Sequence, residues 1–138
     1  PKLDTRAAIF ENGKILLVKE KSGLWALPGG WVDVTETIKS NTIKEVKEET
    51  GLNVEPLQII ALHDKNKHNP YPHPYNICKV FVLCKLLGGA FVKNTETTEI
   101  KYFEINEIPQ LAEEKTTIEQ VRMCFDAYKN DNFAVEFD

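Results

Sequence analysis

The sequence predicts one domain of mixed α and β structure. Short apolar runs rich in Val, Ile and Phe recur between turn residues from Arg6 to Ile105. Two stretches instead carry helical spacing, one stopping at Gly51 and one spanning Thr117 to Tyr128. A chain of 138 residues is one domain long, and such a domain buries about two-thirds of its unfolded surface.

Arg6 to Phe10 and Lys14 to Lys19 read as strands joined at Glu11-Asn12-Gly13, and Asn-Gly between two apolar runs is a strong hairpin signal. Trp25 to Leu27 reads as a short strand, and Pro28-Gly29-Gly30 as a turn where the backbone can approach a ligand or a metal. Asp33 or Thr35 is the expected cap of the following helix, with Asp33 and Glu36 at capping spacing. Ile43, Val46 and Thr50 are expected to face inward. Gly51 is the expected left-handed stop.

Asn53 to His63 contains a strand, LQIIAL. Asp64 to Tyr75, rich in Pro, Asn and His, reads as an exposed loop. Tyr75 to Leu87 is the longest strand signal, turned at Gly88-Gly89. Lys93 to Thr98 is a polar loop, Glu99 to Ile105 a strand, and Pro109 a break before the last helix. No internal repeat or low-complexity tract is present.

Hydrophobic residues make up 42% and charged residues 28%, ordinary values for a folded globular chain. A net charge of −4 argues against a basic nucleic-acid surface, and no nucleic-acid partner is expected. No apolar run reaches the roughly 18 residues of a membrane span. Cys78, Cys84 and Cys124 show no metal-binding or disulfide spacing. Cys78 and Cys84 share a strand face and are expected to be small buried residues, which favours a reducing, cytoplasmic setting.

The chemistry concentrates in GWVDVTETIKSNTIKEVKEETGL, residues 30–52. Glu45, Glu48 and Glu49 are three and four residues apart, so a helix gathers them within an arc of roughly 100°. Three close carboxylates repel one another unless a cation compensates. Hard divalent cations take oxygen ligands, and Mg²⁺ is typically held by carboxylates together with substrate phosphates. A solvated helix face is the plain alternative.

The spacing resembles the signature of the Nudix hydrolases, G-x5-E-x7-R-E-U-x-E-E-x-G-U, where U is a bulky aliphatic residue. Gly30, Glu36, Lys44, Glu45, Val46, Glu48, Glu49, Gly51 and Leu52 occupy its positions. Agreement at six Gly or charged positions, Gly30, Glu36, Glu45, Glu48, Glu49 and Gly51, arises by chance on the order of once in 10⁶ placements. Lys44 departs from the family's Arg, and a flexible ammonium replaces a rigid fork of donors.

The resemblance covers nearly the whole chain and implies an α/β/α sandwich around a mixed sheet. It also implies cleavage, with Mg²⁺ or Mn²⁺, of the pyrophosphate in a nucleoside diphosphate linked to another moiety. Glu45, Glu48 and Glu49 are then the metal ligands, joined by a backbone carbonyl of Gly29 or Gly30. Glu45, Glu96 and Glu99 are candidate bases, and Glu36 is expected to hold the loop to the helix near Lys44. Arg6, Gly29, Gly30, His68 and Tyr75 are candidate substrate contacts, with His63, Tyr71 and His73 in the same His-rich segment. The sequence looks most like the bacterial ADP-ribose or CDP-alcohol pyrophosphatases. A triphosphate-hydrolysing enzyme and a non-catalytic nucleotide sensor remain as alternatives. Family members often dimerise, so a homodimer is an expectation. Some carry a small N-terminal helical domain, which would fit the abrupt start at Pro1.

Overall fold

The computed structural model describes residues 1–138. Eight strands, β1 (Lys2–Glu11), β2 (Lys14–Glu20), β3 (Trp25–Ala26), β4 (Gly29–Trp31), β5 (Leu52–Asp64), β6 (Ile77–Gly89), β7 (Thr97–Phe103) and β8 (Glu136–Phe137), form one mixed sheet. The helices are α1 (Ile38–Thr50), the single turn α2 (Lys65–His68) and α3 (Ile118–Lys129).

The centre of the sheet is β1, buried without interruption from Asp4 to Ile9. It pairs with β6 in parallel from Lys2↔Ile77 to Ile9↔Cys84. Its other edge is shared by β4, antiparallel over residues 4–6, and by β2, which folds back at Asn12-Gly13. Strands buried on both faces usually read as continuous apolar runs; β1 does so from Ala7 to Phe10 and β6 from Val80 to Leu83, while Asp4, Arg6 and Lys79 are buried at the other end of the pair. Alternate residues feed two cores. Ala7, Ile9, Val80 and Val82 pack with Val46 of α1, while Ala8 and Phe81 pack with Val121, Cys124 and Phe125 of α3. The result is a sheet with helices on both faces, as the resemblance implies.

Several expectations need correcting. Helix α1 is capped by Thr37, not Asp33 or Thr35. Thr37 Oγ1 accepts from Ser40 N at 3.0 Å and Ser40 Oγ accepts from Thr37 N at 2.8 Å, a reciprocal box with Ser in the Glu position. Residues 33–36 instead close a turn, with Glu36 N–H donating to Asp33 O. The buried face of α1 is Asn41, Thr42, Val46 and Thr50, and Ile43 is 42% exposed. Gly29-Gly30 is not a bare turn but strand β4. Asp64 to Tyr75 contains α2, and Lys65 and Asn69 within it are buried. Strand β5 runs through Pro56, which sits at a register shift, the kind of place in a sheet that tolerates proline. Cys84 is buried and Cys78 partly so. Gly51 ends α1 in the left-handed conformation at φ 76°, as expected.

Candidate active site

Helix α1 carries its carboxylates onto the glycine strand β4. A Cβ on Gly30 would lie 1.9 Å from Glu45 Oε1, so only glycine lets the backbone come this close to that carboxylate. Gly29 N–H donates to Glu49 Oε2 at 3.2 Å. Asn41, one turn before Glu45 and fully buried, ties the helix to the sheet. Its Nδ2 donates to Thr5 Oγ1 at 2.9 Å and to Gly30 O at 3.4 Å. Glu48 projects outward, 57% exposed at its side chain.

The electrostatics of this ridge are unbalanced. Burial, then the hydrogen bond and charge of Glu48, pushes the Glu45 carboxyl up to about 7. Burial pushes Glu49 up to about 8, although Arg6 and the Gly29 N–H both oppose the rise. Glu96 adds negative charge to both. The only cation on the ridge itself is Lys44. Its Nζ lies 2.7 Å from Asp33 Oδ2, 3.7 Å from Glu48 Oε1 and 3.9 Å from Glu45 Oε2. Lys44 therefore joins the loop to the helix and stands beside two box glutamates, where the family's Arg would be. Glu36 does not meet Lys44; its carboxylate accepts from Ser40 Oγ, behind the cap.

Beside Glu49 opens a polar cleft of about 490 Å³, lined by Arg6, Glu20, Lys21, Gly29, Glu96 and Lys115 among others. Arg6 is itself buried. Its Nε and Nη2 donate to the two Asp4 oxygens, both at 3.1 Å, and its Nη1 to Leu27 O at 3.0 Å. Lys79 Nζ completes the group, 2.8 Å from Asp4 Oδ2. Burial alone would raise the Asp4 carboxyl, but the charges and hydrogen bonds of Arg6 and Lys79 outweigh it and hold it at about 2. Arg6 thus serves first as a buried structural cation, with two of its five N–H groups outside these three bonds.

A family model described as the NUDIX domain matches residues 1–123. The chain belongs to the NUDIX family. It is a hydrolase of that family by its relatives and by its fold. A crystal structure of an ADP-ribose pyrophosphatase from Streptococcus suis is 49% identical, covers 100% of this chain and 99% of that one, and superposes with a TM-score of 0.94. A structure of a UDP-X diphosphatase is 33% identical over 100% of this chain and 67% of that chain, with a TM-score of 0.92. The Bacillus subtilis protein YjhB is 36% identical, over 100% of this chain and 67% of its own length.

Within this NUDIX domain the structure gathers Glu45, Glu48, Glu49, Lys44, Gly29 and Gly30, with Glu96 and Arg6 at the adjoining cleft. It does not gather His68. That imidazole lines a separate cavity of about 620 Å³ beside α3, and its Nε2 lies 2.7 Å from Asp138 Oδ2. Tyr75 stands apart from the cleft as well, edge-on to His73, which in turn faces Trp31 of β4. Glu99 is on β7, paired in register with Lys19.

The sequence reading missed Asn41, Asn94, Glu20 and Lys115. Asn94 Nδ2 donates to Glu49 O at 3.0 Å, while its Oδ1 accepts from Glu96 N at 3.0 Å and Thr97 N at 2.9 Å. One side chain thereby pins the Glu96 loop to the C-terminal turn of α1. The signal was present: Asn two and three residues before backbone donors is a known turn-forming arrangement.

Proposed function

We propose that this chain hydrolyses the P–O–P bridge of a nucleoside diphosphate linked to a sugar, ADP-ribose foremost, with Mg²⁺ or Mn²⁺. The observation that carries the reading is the ridge of Glu45, Glu48 and Glu49 packed on the glycine strand at the edge of a polar cleft. The names of the Streptococcus suis and UDP-X relatives support the substrate class.

The donor set fits a hard divalent cation. All its side-chain ligands are carboxylate oxygens, and burial, with the negative charge of neighbouring carboxylates, pushes Glu45 up to about 7 and Glu49 up to about 8. Glu45, Glu48 and Glu49 would hold the ion, with the Gly29 carbonyl beside them. Such an ion supplies positive charge to the phosphate oxygens and lowers the pKa of water.

The chain's own residues do the rest. The Gly29 N–H fixes Glu49, the bare Gly30 leaves room for the Glu45 carboxylate, and Lys44 spans Asp33 and Glu48. Water oxygen forms a bond to one phosphorus as the bridging oxygen leaves with its electron pair on the other phosphate. The water proton passes to a carboxylate, for which Glu45 on the ridge and Glu96 on its pinned loop are the candidates. For ADP-ribose the products are AMP and ribose 5-phosphate. Positioning and charge, more than covalent chemistry, are what such a transfer asks of a protein. The setting we infer is the cytoplasm, where three free thiols would persist; no helix is long and apolar enough to cross a membrane.

Incubation with ADP-ribose and Mg²⁺, followed by chromatography of the products, tests the reading. AMP and ribose 5-phosphate in equal amounts are expected. Intact ADP-ribose together with pyrophosphate release from nucleoside triphosphates would replace it with triphosphate hydrolysis.

A further inference from the structure

The cleft beside Glu49 has a far wall that the hydrolytic chemistry leaves unused. Glu20 ends β2, where its backbone N–H donates to Leu24 O at 2.8 Å in a tight return. Lys115 precedes α3 in a turn closed on Ala112 O, and the next residue, Thr116, accepts from Leu27 N at 3.1 Å. Two rigid anchors, 95 residues apart in sequence, thus bring Lys115 Nζ and Glu20 Oε2 into an ion pair. Both side chains keep partial exposure to the cleft, at 41% and 23%. Ser22, Thr95 and Thr97 add hydroxyls to the walls, Lys21 adds a cation, and Val18 is the one apolar residue there.

We propose that Glu20 and Lys115 form the subsite for the sugar half of the substrate, binding a hydroxyl-rich moiety by its diol. The inference rests on the pyrophosphohydrolase reading and says which half of the molecule enters this cleft. A carboxylate has about four lone-pair sites and can accept from two neighbouring hydroxyls at once. An ammonium donates to hydroxyl or ring oxygens and accepts nothing. As a pair the two are neutral, so the wall neither repels the adjoining phosphates nor competes for them. The other moieties fit poorly. A quaternary ammonium such as choline is held by aromatic faces, and a nucleobase by stacking; this cleft offers neither. Hydrogen-bonding sites of this kind discriminate strongly, because a substrate lacking the hydroxyls leaves charged groups unpaired.

The test compares ADP-ribose with CDP-choline as substrates of the full chain with Mg²⁺. The wild type is expected to favour ADP-ribose at least tenfold in kcat/KM. Glu20→Gln and Lys115→Met should each raise KM for ADP-ribose tenfold or more, with kcat within threefold and CDP-choline kinetics within twofold. Lys115→Arg, which keeps the charge and the donors, should restore most of the affinity. Unchanged KM for ADP-ribose, or equal losses on both substrates, overturns the subsite. A wild type inert toward both substrates with Mg²⁺ and with Mn²⁺ sinks the hydrolase reading instead. Calorimetric binding of ADP-ribose to the same proteins then decides the subsite: tenfold weakening in the variants upholds it, and unchanged or undetectable wild-type binding overturns it.

Discussion

The carboxylates of α1 and the imidazoles beside β5 are both dense clusters of titratable groups, yet their hydrogen-bond accounts differ. Around His63 every need is met. Gln120 Oε1 accepts from Thr117 N at 2.9 Å, which fixes the amide so that its Nε2 points at His63 Nδ1, 3.3 Å away. That Nδ1 must then accept, which leaves the ring proton on Nε2, donating to Glu136 Oε1 at 2.9 Å. Asn69 closes the same network, and His68 stacks on His63 with centroids 3.6 Å apart and planes 7° from parallel. The ligand atoms of His63, His68 and Glu136 lie within 4.8 Å of one another. Even so, in-plane lone pairs on parallel rings do not converge on one ion, and the His63 lone pair that is free of a proton faces Gln120. This cluster holds the C-terminal strand β8 onto β5.

On α1 the account does not close. Glu45 and Glu49 are buried enough to be pushed toward neutrality, and Asn41 Oδ1 is a buried acceptor with no partner. Gathered groups alone mark nothing; demand left over marks a ligand site.

The contrast is sharpened most by Glu48→Gln. Glu48 is exposed, so the fold should survive with Tm within a few degrees. Mg²⁺-dependent hydrolysis should fall at least about 10²-fold in kcat, because one anionic ligand of the ion becomes a neutral amide. Activity close to wild type would remove Glu48 from the metal site. Next in size is His63→Ala, which should cost about 1–3 kcal/mol of stability in chemical denaturation and leave kcat within twofold. A selective loss of kcat would show that the two regions are not separate.

The same substitution carries a pH signature. Burial, more than any charge, holds His63 below its ordinary 6.5, so folding favours the neutral ring. Its stabilising contribution is present above pH 6.5 and is lost as pH falls below it toward the lowered folded value. Thermal melts of the wild type should therefore show an acid-side decline that is smaller in His63→Ala. The smallest effect is expected of Lys44→Arg. A guanidinium can still span Asp33 and Glu48, so kcat should stay within threefold, and a loss greater than tenfold would assign Lys44 a role that only an ammonium fills.

What could be read from the sequence was local. The glutamate spacing, the Asn-Gly hairpin and the Gly51 stop depend on neighbours within a few residues, and all three stand as read. The cap was misplaced because Asp33, a good capping residue, is claimed by Lys44 eleven residues on. Ile43 was placed inward because Ile, Val and Thr at helical spacing look alike from either side; the sheet takes the stripe through Thr42, Val46 and Thr50 instead. Pairing of β1 with β6 spans some 75 residues and leaves no mark in either strand. Glu20 and Lys115 reach the cleft from two separate segments, and Asn94 pins the Glu96 loop beside it from a third, which no spacing rule connects. His68 was expected at the substrate site because His and Tyr crowd residues 63–75, whereas α2 turns that ring toward Asp138.

The most direct measurement is Mn²⁺ binding followed by electron paramagnetic resonance, on the wild type, a Glu45→Gln/Glu48→Gln double variant and His63→Ala. The account predicts bound Mn²⁺ in the wild type and in His63→Ala, and its loss in the double variant. Binding that persists in the double variant, or that disappears in His63→Ala alone, would contradict it.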